Sequence, residues 1–186
     1  ERVAAPLRAM GANLATTDGH APLVGRGGSL AGVELALPVA SAQVASAVLL
    51  AGLNAAGTTR LRYPSPVRDH TERLLAAMGA PIRFDGRVTS LDGPVARLAS
   101  PDGGRYDVPD DPSAAAFVLG AAAIVPGSAV RVRGLAVNPG RTGWLDALEA
   151  MGAAVTVDGW SMRCGEPVAD VALSHRPLRA TRIDGE

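Results

Sequence analysis

The stretch Thr71-Glu-Arg-Leu-Leu-Ala-Ala-Met78-Gly-Ala-Pro-Ile-Arg-Phe84 changes its period halfway along. Its first half puts apolar residues at helical spacing, a glycine follows where a left-handed C-cap is wanted, and the remainder is short and strand-like. The same Met-Gly-Ala string closes two other amphipathic stretches, Val3-Ala-Ala-Pro-Leu-Arg-Ala9 and Gly143-Trp-Leu-Asp-Ala-Leu-Glu-Ala150. Its copies begin at Met10, Met78 and Met151, 68 and 73 residues apart, which is an internal repeat. The third copy continues as Ala153-Ala-Val-Thr-Val157, a strand that Asp158-Gly159 is expected to end.

A second correspondence lies between the copies. Val44 to Leu53 followed by Gly57-Thr-Thr-Arg-Leu-Arg62 matches Ala114 to Ile124 followed by Gly127-Ser-Ala-Val-Arg-Val-Arg133. Each repeat thus holds two helices of different character. Those from about Ser41 and Ser113 are apolar on nearly every face and are expected inside a layer. Those ending in Met-Gly-Ala carry Arg73, Asp146 and Glu149 and are expected to be solvated. Strand, buried helix, strand, exposed helix and strand pair make a βαβαββ unit, which puts the chain in the α/β class, in its α+β form. The aspartate- and glycine-rich stretch Pro101 to Asp111 is the candidate boundary between two bodies.

Composition removes several function classes. In 186 residues, 47% are hydrophobic and 19% charged, enough to bury a core. Eighteen basic residues balance eighteen acidic ones, so no global field draws the chain to nucleic acid or an anionic membrane, and any anion site is local. The longest apolar runs fall short of a bilayer span of about 20 residues. The single cysteine, Cys164, excludes an internal disulfide and a zinc module, and a reducing cytoplasm is the expected setting. All the basic residues are arginine, so no step can run through a lysine of this chain. Glu1 stands where a first methionine is usual, and Arg182 to Glu186 close no element; both ends are expected to be cuts.

The richest candidate site is Pro38-Val-Ala-Ser41-Ala-Gln43-Val-Ala-Ser-Ala-Val-Leu-Leu-Ala-Gly52. A serine opening an apolar helix is an N-cap, and the free N–H groups beside it, with the helix dipole, favour an anion. Ser41 either caps only or also binds. Gln43 either bonds backbone or faces a ligand. In Arg68-Asp-His-Thr-Glu72, Asp69 and Glu72 have capping-box spacing, His70 reads as a surface histidine, and Arg68 either solvates itself or joins an anion site. Asp111 precedes Pro112 as an N-cap, aligned by the repeat with Ser41. Thr142 is the cap expected for the third Met-Gly-Ala helix, and Arg141 occupies the place of Arg68.

Four strings together resemble the enolpyruvyl transferases: Pro38-Val-Ala-Ser-Ala-Gln-Val-Ala-Ser-Ala-Val-Leu-Leu-Ala-Gly-Leu53, Arg68-Asp-His-Thr-Glu-Arg-Leu-Leu75, Val108-Pro-Asp-Asp-Pro-Ser-Ala-Ala-Ala-Phe117 and Asn138-Pro-Gly-Arg-Thr-Gly-Trp-Leu-Asp146. They occur in family order and spacing over essentially the whole chain. Ser41-Ala42-Gln43 favours the branch acting on 3-phosphoshikimate over the branch acting on a UDP-sugar. The resemblance implies two domains of three βαβαββ units each, with buried parallel helices whose N-termini converge on a cleft. Residues 1–107 would be the later part of the first, shikimate-phosphate-side domain, and 108–186 the first unit of the second.

By the same resemblance, Ser41 and the Ala42 backbone hold the shikimate phosphate, Gln43 lies between 3-phosphoshikimate and phosphoenolpyruvate, and Arg68 supports the phosphate side. Asp111 matches an acidic cleft residue. Asp110 departs from the usual glycine, and its carboxylate would stiffen the turn or repel an anion. No metal or organic cofactor is implied, and the parent enzyme is expected to be a cytoplasmic monomer of aromatic amino acid biosynthesis. The family's lysines, its glycine-rich phosphoenolpyruvate loop, an arginine a few residues before Glu1 and its acid/base aspartate shortly after Glu186 are expected outside this chain. The segment alone is therefore expected to be inactive. The competing class is a catalytically inactive binding or scaffold module of the same fold.

Overall fold

The computed structural model describes residues 1–183, so the closing residues 184–186, expected to close no element, lie outside the described residues. The chain divides into two compact units between Gly104 and Arg105. The first runs through α1 (Ala4–Ala9), β1 (Asn13–Thr17), β2 (His20–Arg26), β3 (Leu30–Ala31), β4 (Glu34–Ala36), α2 (Ala42–Gly52), β5 (Ala55–Arg62), α3 (His70–Ala77), β6 (Ile82–Phe84) and β7 (Val88–Gly93). The second holds α4 (Pro112–Ile124), β8 (Ala129–Ala136), α5 (Gly143–Ala150), β9 (Ala154–Arg163) and β10 (Glu166–Ser174).

In the first unit β3 and β4 pair parallel with β5, while β7 lies antiparallel between β5 and β6. In the second, β10 lies antiparallel between β8 and β9. The order β5-β7-β6 is thus repeated as β8-β10-β9, and β1 with β2 forms the corresponding hairpin after α1.

Three helix ends explain the repeated string. After α1, α3 and α5 come Gly11, Gly79 and Gly152 at φ of 98°, 79° and 98°, a conformation that costs an L side chain about 1–2 kcal/mol. At each, the glycine N–H bonds the carbonyl three residues back: Gly11 to Arg8 (2.9 Å), Gly79 to Ala76 (2.9 Å) and Gly152 to Glu149 (2.8 Å). The following alanine bonds five residues back, as Ala12 does to Leu7, Ala80 to Leu75 and Ala153 to Leu148, each within 3.0 Å. This is the Schellman arrangement, which satisfies carbonyls left over at the helix end. The carbonyls of Met10, Met78 and Met151 also each accept one N–H from a returning segment, from Ala31, Ala99 and Arg179 respectively.

Each unit has its own core. Val44, Val48 and Leu49 of α2 pack with Leu61, Leu75 and Leu91 in the first, and Leu119 of α4 with Leu135, Leu145, Val171 and Leu173 in the second. The helices are not enclosed on every side as expected. Phe117, Val118 and Ile124 of α4 are 82%, 52% and 68% exposed, and Leu50 of α2 is 53% exposed. A sheet covers only one face of a helix, and no described residue covers the other face of α4.

Two further expectations change. The strand leading into α4 is reduced to a single parallel bridge, Asp110 to Leu135, in which the Asp110 N–H and carbonyl bond Gly134 and Ala136. Pro109 and Pro112 flank it without N–H donors, so the ladder cannot lengthen. Asp158-Gly159 does not end β9, which continues to Arg163. Gly159 takes φ 63° and the pairing with β10 slips by one residue there, making a bulge where a turn was expected.

Candidate functional site

Ser41 precedes α2 in extended conformation, and its Oγ accepts from the Val44 N–H at 3.5 Å. That is the long limit of a hydrogen bond, so the cap is weak and the hydroxyl proton is uncommitted. No acidic residue occupies the first turn of α2, leaving its positive end unneutralised. Asp111 opens α4 in the same way but with a shorter bond, 3.0 Å from the Ser113 N–H.

The cleft at the start of α2 has a volume of about 400 Å³ and is lined by Arg2, Ala40, Ser41, Ala42, Gln43, Pro66, Val67 and Arg68. Three separate elements supply it: the segment entering α1, the first turn of α2 and the loop between β5 and α3. All four positions singled out in the first unit, Ser41, Ala42, Gln43 and Arg68, are therefore brought together. Two arginines line the cleft and no carboxylate does. The Arg68 guanidinium makes no hydrogen bond or ion pair among the described residues. A second, apolar cavity of about 420 Å³ adjoins it between α1, the β4–α2 connection and α2, sharing Arg2 and Ser41.

Arg2 is a charged lining residue that sequence reasoning missed. Its Nη2 donates to Gln43 Oε1 at 3.1 Å. With its oxygen so engaged, the Gln43 amide presents its NH₂ group, a donor, to the rest of the cleft. The arrangement is a collection of donors: the Ala42 and Gln43 N–H groups, the Ser41 hydroxyl, the Gln43 amide and two guanidinium groups. It suits a doubly charged, multiply accepting ligand such as a phosphate monoester.

Three side chains depart from their expected roles. Glu72 forms no capping box with Asp69, which pairs with Arg73 at 2.9 Å. Glu72 turns inward, 1% exposed, and its Oε1 accepts from Tyr63 (3.2 Å) and Thr89 (3.4 Å). Burial pushes the Glu72 carboxyl up, and the nearby Asp69 charge adds to this. Burial also pushes the Tyr63 phenol up. Thr142 stands at the N-cap of α5, but its hydroxyl donates to the Asn138 carbonyl at 3.4 Å and caps no N–H.

Asp111 belongs to the second unit and is held by its surroundings. Arg141 Nη2 lies 3.1 Å from Asp111 Oδ1 and 2.6 Å from Ser113 Oγ. The Ser113 N–H first, and then the Arg141 charge, keep the Asp111 carboxyl below the usual carboxylate range. Such a group stays ionised at neutral pH and is a poor proton donor. Among the described residues no cluster of His, Cys, Asp and Glu has the makings of a metal site, and no helix is long and apolar enough to cross a membrane.

Comparison with known proteins gives this geometry a context. The family model described as EPSP synthase (3-phosphoshikimate 1-carboxyvinyltransferase) matches residues 1–184. The chain is 53% identical over 186 residues to the 3-phosphoshikimate 1-carboxyvinyltransferase of Anaeromyxobacter dehalogenans (strain 2CP-C), covering 99% of this chain and 41% of that protein. It is 49% identical over 187 residues to the protein of the same name from Gloeobacter violaceus (strain ATCC 29082 / PCC 7421), covering 100% and 42%. The solved structure of EPSP synthase from Acinetobacter baumannii superposes with a TM-score of 0.89 at 42% identity, over 99% of this chain and 41% of that one. The enolpyruvyl transferase NikO from Streptomyces tendae, at 19% identity and a TM-score of 0.68, over 96% of this chain and 43% of that one, shares the fold. The chain thus spans about two fifths of the curated relatives it matches, and over that span, with the mixed α/β structure described above, it belongs to the EPSP synthase family.

Proposed function

We propose that the chain supplies the phosphate-holding wall for 3-phosphoshikimate in an enzyme that transfers the enolpyruvyl group of phosphoenolpyruvate to that acceptor. The observation that carries this reading is the convergence of Ser41, Ala42, Gln43, Arg68 and Arg2 on one cleft rich in donors and free of carboxylates. In the complete reaction a ring hydroxyl gives up its proton as its oxygen bonds C2 of phosphoenolpyruvate, and the methylene carbon takes a proton to become a methyl group. Loss of a methyl proton and cleavage of the C2–O bond to phosphate then restore the double bond and release phosphate. The residues here bind and orient: the α2 N-terminus and Ser41 take the acceptor's phosphate, Arg68 neutralises it, and Gln43, held by Arg2, reaches between the two anionic substrates.

In this reading the parent enzyme is built from repeated βαβαββ units in two domains and works as a cytoplasmic monomer. Expressed alone, the chain forms no enolpyruvyl product, since lysine-dependent steps have no residue here. Calorimetric titration tests the reading: shikimate 3-phosphate releases heat and shikimate, without the phosphate, does not. Equal responses, or none, would return the chain to the class of scaffold modules.

A further inference from the structure

The cleft's walls stand on two helices, with Ser41 to Gln43 opening α2 and Arg68 just ahead of α3. A side-chain bond joins the two helices: Ser46 Oγ and Thr71 Oγ1 lie 2.6 Å apart. Ser46 is the hydroxyl that interrupts the apolar run of α2, one turn beyond Ala42 and Gln43. Thr71 lies three residues beyond Arg68, in the first turn of α3. The next residue, Glu72, ties that turn to the sheet through Tyr63 and Thr89.

The second unit offers a comparison inside the same molecule. The repeat aligns Ser46 with Ala116 and Thr71 with Trp144, whose buried indole N–H has no partner. The hydroxyl pair therefore has no counterpart there. Arg141, aligned with Arg68, is instead held by the α4 N-terminus itself, through Asp111 and Ser113. In the first unit no carboxylate stands at the α2 N-terminus and Arg68 has no ion pair among the described residues. An arginine fixed by an acid needs no other device; one left open for an anion must be placed from behind.

We propose that Thr71 is a positioning residue which, through Ser46, sets the spacing between Arg68 and the α2 N-terminus. The proposal rests on the phosphate reading of the cleft. Its test uses the chain with Thr71→Val, Thr71→Ser, Ser46→Ala and the double variant Ser46→Ala/Thr71→Val, with two readouts. In ligand-free ¹H–¹⁵N spectra, Thr71→Val and Ser46→Ala shift the N–H signals of Ala42, Gln43 and Arg68, and Thr71→Ser leaves them in place. In titrations with shikimate 3-phosphate, each bond-breaking variant weakens binding about fivefold, the double variant does no worse than either single, and Thr71→Ser binds as the parent does. Unmoved signals, an equal loss in Thr71→Ser, or additive losses in the double variant would overturn the proposal. A parent chain that does not bind shikimate 3-phosphate would overturn the phosphate reading instead, and the ligand-free spectra would then decide whether the contact sets the spacing.

Discussion

Replacing Ser41 by alanine separates two roles that one hydroxyl can play. As a cap, Ser41 Oγ reaches the Val44 N–H only at 3.5 Å, so its loss belongs at the low end of the N-cap range, about 0.5 kcal/mol. For a cooperative unit of about 100 residues that lowers Tm by about 2–4 °C. As a ligand to a phosphate, the same hydroxyl makes a bond to a charged group, a contribution of about 1.5–3 kcal/mol. That corresponds to a loss of affinity for shikimate 3-phosphate of roughly ten- to a hundredfold. Tm and affinity measured on one preparation distinguish the two. Gln43→Ala serves as the control, because Gln43 is not the N-cap and should lose affinity with little change in Tm. A Ser41→Ala variant with lowered Tm and unchanged affinity would refute the reasoning and leave Ser41 as a cap alone.

Glu72 gives a pH test. Its carboxyl is raised in the folded state from an ordinary value of 4.5, so the folded chain holds that proton more tightly than the unfolded one. The stability it contributes is full below about pH 4.5 and is lost as pH rises through the raised value. Glu72→Gln should therefore gain on the parent in Tm between pH 4 and pH 8, and a difference that does not change with pH would contradict this. Leu119→Ala, at 0% exposure, should cost about 2–5 kcal/mol in denaturant titration, while Phe117→Ser on the open face of the same helix should stay within about 0.5 kcal/mol. Equal effects would mean that α4 is enclosed. Gly79→Ala, at φ 79°, should destabilise by about 1–2 kcal/mol. Gly120→Ala, inside α4 with nothing within 4 Å of the added carbon, should stabilise by about 0.4–1 kcal/mol; the opposite order would refute the helix-end account.

What was legible in the sequence is what depends on neighbours along the chain. The Met-Gly-Ala ends needed only the helix before them and a glycine able to take positive φ, and the Ser41 cap needed only the apolar helix after it. The site was legible to the same extent: the three adjacent residues Ser41 to Gln43 and the arginine at Arg68 do meet in one cleft. Arg2 was not, because its partner Gln43 lies 41 residues away and nothing local to Glu1-Arg2 marks it. Glu72 has the spacing of a capping box, but Tyr63 and Thr89, brought over by β5 and β7, offer it buried donors. The apolar circumference of α4 told of burial without telling which face this chain covers. Asp158-Gly159 reads as a turn until β10 supplies a partner that makes it a bulge.

The most direct measurement is a residue-resolved ¹H–¹⁵N titration of the chain with shikimate 3-phosphate, with shikimate, which keeps the carboxylate but lacks the phosphate, as the comparison. The account predicts saturable shifts at the N–H groups of Ala42 and Gln43, the Gln43 side-chain amide and the guanidinium signals of Arg2 and Arg68, seen only with the phosphorylated compound. Shifts confined to other residues, such as Asp111 and Arg141 in the second unit, or identical with both compounds, would contradict it.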